Sequence, residues 1–389
     1  MPRAAVTDLY RIEDLLSSEE RAARDVVASF IDREYLPVVG KHFRNGTFPM
    51  EVVPKLAELG VFGANLQGYG CAGLSNVTYG LILQELERGD SGLRSFASVQ
   101  SSLVMYPIHA FGSDEQKERF LPAMAKGKLI GCFGLTEPDF GSNPAGMRTT
   151  AKKVGDRWVL NGEKRWITSG GIADVALVWA RTEEGIRGFL VERGTPGFST
   201  RDIEGKFSLR ASVTSELIFE DCAIPFDAML PGVRGLKGPL SCLNQARYGI
   251  AWGAVGAAMA CYDEALRYAQ DRVQFSRPIA GYQLVQRKLV DMVSEITKAQ
   301  LMCWRLGRLK ESDKITAGQV SLAKRNCVAM SRDIARDARD ILGANGVTDE
   351  YQCGRHMLNL ESVYTYEGTH DIHTLVVGQD VTGLAAFDS

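Results

Sequence analysis

The sequence has no long apolar run. Its longest weakly polar stretch, 249–262, is rich in glycine and alanine and too short to cross the hydrocarbon core of a bilayer. It has no excess of either charge: 45 lysines and arginines stand against 47 aspartates and glutamates, so no overall field draws the chain to nucleic acid or to an anionic membrane. Neither partner is expected. Its eight cysteines form no C-x-x-C pair and share no metal-ligand spacing with the five histidines; no metal is expected, and the thiols read as reduced and mostly buried. Internal repeats and low-complexity linkers are missing. The first sixteen residues contain Asp8, Glu13 and Asp14 and no continuous apolar core, unlike a signal or transit peptide. A cytoplasmic location is expected, although a mature mitochondrial matrix form would have the same character.

What is present is 389 residues of ordinary globular composition, 45% apolar and 24% charged, enough for two or three compact units around a large core. In the first third apolar residues recur at helical spacing: Val26, Val27, Phe30 and Ile31, then Val53, Leu56 and Leu59, then Tyr79, Leu83 and Leu86. Near Leu129 the character changes to short β-rich runs. Arg157-Trp158-Val159-Leu160 and Lys164-Arg165-Trp166-Ile167-Thr168 flank Asn161-Gly162, which predicts a hairpin turn there. Residues 175–180, 188–191 and 216–219 add strand-like runs. Long helical patterns return over about 240–272, 283–310, 316–342 and 371–386. The expectation is a mainly α protein with a central β domain: a helical domain over 1–128, a small β barrel or sandwich over 129–237, and a helical bundle over 238–389.

Gly68-Tyr69-Gly70-Cys71-Ala72-Gly73 satisfies G-x-G-x-x-G, with Asp90 near the acidic position of a dinucleotide fingerprint. Such a fingerprint needs a buried strand before it and a helix opening within it. Here a helical pattern precedes, and the next helix starts only at Ser75 or Asn76, so a loop is predicted. Phe133-Gly134-Leu135-Thr136-Glu137-Pro138-Asp139-Phe140-Gly141-Ser142-Asn143 joins a strand-like run to a turn. Turns of this kind gather N–H and hydroxyl donors for a planar heterocycle or a pyrophosphate, or are simply turns capped by serine. Trp166 beside Thr168 is either core or the wall of a flavin site.

In Tyr364-Thr365-Tyr366-Glu367-Gly368-Thr369-His370-Asp371-Ile372-His373 a carboxylate lies among aromatics and next to a glycine. Lost solvation would raise its pKa toward the range of a general base. The alternative is a surface turn with Thr369 as N-cap. His370 and His373 have no evident third ligand, so a metal is not expected there.

Taken together, and in this order, these segments resemble the acyl-CoA dehydrogenase family along nearly the whole chain. Glu87-Arg88-Gly89-Asp90-Ser91-Gly92-Leu93-Arg94-Ser95, Ser98-Val99-Gln100-Ser101-Ser102, Gly205-Lys206-Phe207-Ser208-Leu209-Arg210-Ala211-Ser212, residues 244–252 and the run from Tyr366 to His373 are similar to its glutaryl-CoA dehydrogenase branch. The resemblance implies FAD as cofactor, held by Phe133, Leu135, Thr136, Ser142, Trp166, Thr168 and Thr369. It implies that Arg272 and Phe275 hold the adenosine half from a neighbouring subunit of a homotetramer, and that Asp340 and Gly343 also contact FAD. Glu87, Arg94, Ser95, Ser98 and Tyr366 would hold the acyl group, and Asn244 and Arg247 the CoA arm. An arginine at position 94 suits the distal carboxylate of a dicarboxylic acyl chain, because it offers paired donors; Arg94 could instead form a surface salt bridge to Glu87 or Asp90.

Glu367 would take the α-proton of glutaryl-CoA while hydride leaves the β-carbon for flavin N5. Loss of CO2 would then give crotonyl-CoA, and electrons would pass to an electron-transferring flavoprotein. A non-decarboxylating or short-chain dehydrogenase, or a catalytically silent CoA-binding protein, are the alternatives. Three positions depart from the family pattern: Asn143, Ser169 and Asp340.

Overall fold

The computed structural model describes residues 8–386; the N-terminal reading above therefore lies partly outside the described residues. The first helical region holds α1 (Ser18–Phe30), α2 (Leu36–Asn45), α3 (Val53–Glu58), α4 (Asn76–Gly89), α5 (Ser91–Ser98), α6 (Tyr106–Phe111) and α7 (Asp114–Ala125). Ser17 and Glu20 form a capping box that starts α1. Ser75 caps α4, its side chain accepting from the Thr78 N–H, and Gly68 to Gly73 is the predicted loop, without a strand before it. Helix α4 is buried almost all round, which requires packing on more than one side.

A connected sheet follows, made of β1 (Gly131–Gly134), β2 (Thr150–Val154), β3 (Arg157–Thr168), β4 (Val175–Thr182), β5 (Gly185–Glu192), β6 (Phe198–Asp202) and β7 (Thr214–Pro225). Strand β4 pairs with β5 along its length; its other edge takes β1 in parallel and meets β2 at Thr150 and Arg181. Strand β3 runs antiparallel between β2 and β7. The expected hairpin at Asn161-Gly162 is not there. Strand β3 passes straight through that pair, and the chain reverses at Gly155 and Asp156 instead. Asn161-Gly162 is a bulge against β7: Gly162 has φ 142°, and a Cβ on it would lie 2.6 Å from the Thr149 backbone. Asn161 exchanges hydrogen bonds with Asp221 across the bulge, at 3.0 and 2.8 Å.

The second helical region contains α8 (Lys237–Asp271), α9 (Gln283–Glu311), α10 (Ala317–Ile341), α11 (Gln352–Thr365) and α12 (His370–Thr382), with a short ribbon of β8 (Val273–Gln274) and β9 (Arg277–Pro278) between α8 and α9. Helix α8 lies against α4, α9, α10 and α11, so one apolar core joins the two helical regions. Helix α11 was not anticipated, although Cys353, His356, Leu360 and Val363 have the spacing of a buried helical face. No helix among the described residues is long and apolar enough to cross a membrane.

Candidate active site

Glu367 lies on the short connection between α11 and α12. Glu367 has φ 50° and Gly368 φ 90°, two consecutive left-handed residues; for a glutamate this costs about 1–3 kcal/mol. Three successive carbonyls of the turn are taken by cationic side chains. Lys324 Nζ donates to the Tyr366 and Gly368 carbonyls, both at 2.6 Å, and Arg247 Nε donates to the Glu367 carbonyl at 2.8 Å. Thr369 then caps α12, its hydroxyl oxygen accepting from the Ile372 N–H at 3.1 Å. Of the surface-turn alternative, the cap is present and the surface is not. Glu367 as a residue retains some exposure, but its Oε2 is buried and has no hydrogen-bond partner among the described residues. Burial pushes the carboxyl above its ordinary range, and Arg94, Lys324 and Arg247 pull it only part of the way back.

The polar end is built on α4 and α5. Arg94 is wholly buried; its Nε donates to Glu87 Oε2 at 2.6 Å and its Nη2 to the Tyr366 hydroxyl, to which Ser95 Oγ is also hydrogen-bonded at 3.2 Å. Burial opposes the guanidinium charge, but Glu87 and Tyr366 outweigh it and hold Arg94 above its ordinary value. Burial pushes the Tyr366 hydroxyl up to about 12. Arg94 Nη1, Glu87 Oε1 and Ser98 Oγ are buried without partners among the described residues. The Glu87 pair expected as a surface alternative thus exists in the interior. Asp90 is engaged elsewhere, by Arg355 Nε at 3.0 Å and Asn359 Nδ2 at 2.8 Å, both from α11.

The loop after β1 is tied to β3. Glu137 accepts from the Thr149 N–H at 2.9 Å and from Lys164 Nζ at 2.8 Å; Lys164 also donates to the Leu135 carbonyl at 3.1 Å, and burial takes its pKa down to about 8. The Thr136 carbonyl accepts from the Arg165 N–H at 2.8 Å. Phe133 is buried edge-on to Trp179, Thr136 is half-buried and Ser142 is exposed. On β3, Trp166 has φ 62° where the register with β7 breaks, and its residue is 56% exposed between buried or half-buried neighbours.

Comparison with known proteins decides the family. Residues 17–128, 132–222 and 233–382 match the acyl-CoA dehydrogenase N-terminal, middle and C-terminal domains in turn. The chain belongs to the acyl-CoA dehydrogenase family. It is 37% identical to the human mitochondrial short-chain specific acyl-CoA dehydrogenase over 356 residues, 90% of this chain and 86% of that one. A crystal structure of glutaryl-CoA dehydrogenase from Mycobacterium smegmatis is 55% identical, with a TM-score of 0.97 over 99% of this chain and 100% of that one. Another structure of a glutaryl-CoA dehydrogenase from that organism, in complex with FADH2, is 51% identical, with a TM-score of 0.98 and the same coverage.

The cofactor of this acyl-CoA dehydrogenase is FAD, and the residues present fit it. An indole left more than half exposed by a left-handed kink in a strand, with the Thr168 and Ser142 hydroxyls on the same β region, offers a flat apolar wall and polar donors. The remaining expected residues are more scattered. Asn244 lines a cleft with Gln245, Tyr248, Lys310 and Thr316, whereas Arg247, on the same helix α8, goes to the base turn. Arg272 and Phe275 are exposed, and Phe275 forms the tip of the β8–β9 ribbon at 91% exposure. Asp340 pairs with Lys288 and Arg339, next to the exposed Gly343. His370 stacks on Tyr364 and His373 is buried. The eight cysteines are free thiols, seven of them buried.

Lys324 was not anticipated. Its signal is a charge on the apolar stripe of α10, between Val320, Ala323, Cys327 and Val328, where it is 1% exposed.

Proposed function

We propose that this acyl-CoA dehydrogenase oxidises and decarboxylates glutaryl-CoA to crotonyl-CoA and CO2, with Glu367 as the base. The carrying observation is the wholly buried Arg94 with a free Nη1, flanked by unpaired Glu87 and Ser98 atoms, in the same interior as the unpaired Glu367 Oε2. Buried polar atoms are rarely left unpaired, and a guanidinium suits a carboxylate that a plain acyl chain lacks. The 55% identity with a glutaryl-CoA dehydrogenase supports the same substrate.

Glu367 removes the thioester α-proton, and burial holds its carboxyl above the ordinary carboxylate range, which strengthens it as a general base. FAD, when bound, would supply the acceptor for the hydride from the β-carbon. Arg94 and Ser98 anchor the distal carboxylate, with Glu87 and Tyr366 orienting the guanidinium. Once CO2 leaves, protonated Glu367 returns its proton to the dienolate. Trp166, Thr168, Thr136 and Ser142 hold the isoalloxazine and phosphate ends of the cofactor. Asn244 and Arg247 face the CoA arm, Phe275 with Arg272 reaches a neighbouring subunit of a homotetramer, and Asp340 and Gly343 also contact FAD. Electrons leave to an electron-transferring flavoprotein.

A second reading rests on Arg94 being already engaged by Glu87 and Tyr366, which would make the pair structural and the substrate a short monocarboxylic acyl-CoA, as in the 37% identical relative. Product analysis separates the two. Crotonyl-CoA and CO2 are expected from glutaryl-CoA; butyryl-CoA turnover with glutaryl-CoA inert would overturn the proposal. Arg94→Ala should lower kcat/KM for glutaryl-CoA on the order of 100-fold more than for butyryl-CoA; equal losses would make Arg94 structural.

A further inference from the structure

We propose that Lys324 is the positioning residue of the base: its ammonium grips the carbonyls on either side of Glu367 and so sets both the direction and the charge environment of that carboxylate. This rests on Glu367 being the base. The geometry is specific. Lys324 rises from α10, away from the elements that carry the rest of the site, and donates to Tyr366 and Gly368 but not to the residue between them. Holding residues i−1 and i+1 from one point pins the left-handed Glu367, which otherwise has a strained backbone and an adjacent glycine to relax through. Arg247 completes the hold from α8 through the middle carbonyl.

A neutral donor would satisfy two carbonyls at a smaller cost than a buried ammonium. The charge therefore calls for its own explanation, and its neighbours supply one. Around the pair stand Arg94 from α5, Glu87 and Tyr79 from α4, Arg247 from α8, His373 and His370 from α12, and Tyr366 in the turn. Glu87 is held by Arg94, and burial takes His373 down to about 3, so it is neutral. The anion that acts on Lys324 is Glu367, while Arg247 and Arg94 oppose its charge; burial brings Lys324 down to about 7. When Glu367 takes a proton, Lys324 is left among cations without its counter-ion. Lys324 thus favours the carboxylate before proton abstraction and favours giving the proton back afterwards, which the return step needs.

The test uses holoenzymes of Lys324→Gln, which keeps a donor without charge, and Lys324→Met, which keeps neither. Substrate-driven flavin reduction is followed against pH with whichever acyl-CoA the wild type turns over. Losing the cation disfavours the carboxylate, so both variants should need a higher pH, by about one unit. At the high-pH plateau the glutamine variant should approach the wild-type rate, while the methionine variant stays about 10-fold or more below it because the turn is loose. An infrared titration of the Glu367 carboxyl, read as a difference against Glu367→Gln, should show the same shift without turnover, and with the glutamine variant it decides the matter if the methionine variant does not fold. Unshifted profiles and an unshifted titration overturn the proposal. So does a pH-independent loss that follows lost FAD or thermal stability, because that is scaffolding. Near-normal flavin reduction by Glu367→Gln would instead remove the base assignment itself, and the role of Lys324 with it.

Discussion

Glu87, Arg94, Ser98 and Glu367 each carry a buried polar atom that no described residue satisfies. A buried unpaired atom costs about 1–3 kcal/mol, so four of them from α4, α5 and the turn before α12 mark a place built for something else to pair with. Gly368 supports one of the four through the backbone. A Cβ there would lie 2.8 Å from His373 Nε2 and 3.2 Å from Arg247 Nη2, in a conformation side chains avoid. Gly368→Ala is expected to cost about 1–3 kcal/mol and to slow flavin reduction with FAD still bound. Thermal denaturation and stopped-flow reduction check this; an unchanged rate would mean the turn tolerates distortion. At this scale the sequence nominates Glu367 and Arg94 through the resemblance of their flanking motifs to the family, since the local residues alone also fit a surface turn and a surface salt bridge. It did not reveal that Lys324 serves Glu367, because the two are brought together by helices separated by a loop and another helix.

Among the elements, α4 and α8 decide where Arg94 and its partners lie. The helices touch closely because α8 presents glycines to α4. A Cβ on Gly256 would fall 1.9 Å from the Gln84 carbonyl, and one on Gly253 would fall 2.0 Å from Glu87 Oε2. Gly256→Ala should therefore force the helices apart and destabilise the holoenzyme by about 1–3 kcal/mol. Denaturant unfolding measures it, and a change within error would show that α4 yields without cost. Element type was legible wherever periodicity was long, as in α8, α9 and α10. Asn161-Gly162 misled because the pair tolerates positive φ in a bulge as readily as in a turn, and only the partner strand distinguishes the two. Helix α11 was overlooked because its apolar stripe is interrupted by Arg355 and Asn359, whose side chains bond Asp90 in the interior.

For the whole molecule, Phe275 at the exposed tip of the β8–β9 ribbon meets the ring of Tyr282 edge-on, at 6.5 Å between ring centres. Phe275 at 91% exposure suits an anchor in another copy of the chain. Phe275→Ala should weaken assembly roughly 30-fold or more, with loss of FAD on dilution. Sedimentation and flavin absorbance read both, and unchanged assembly with full FAD would remove the residue from the interface.

The order of helical, β and helical regions, the family and its cofactor were determined by the sequence itself. Hydrophobic period and local motifs are properties of neighbouring residues and survive without the fold. The tertiary structure alone decided that Arg94 is buried against Glu87 and Tyr366, that the Glu367 turn is gripped from α8 and α10, and that Asn-Gly is a bulge. Each of these depends on which distant segment comes within a few ångströms, and that is set by packing the whole core at once.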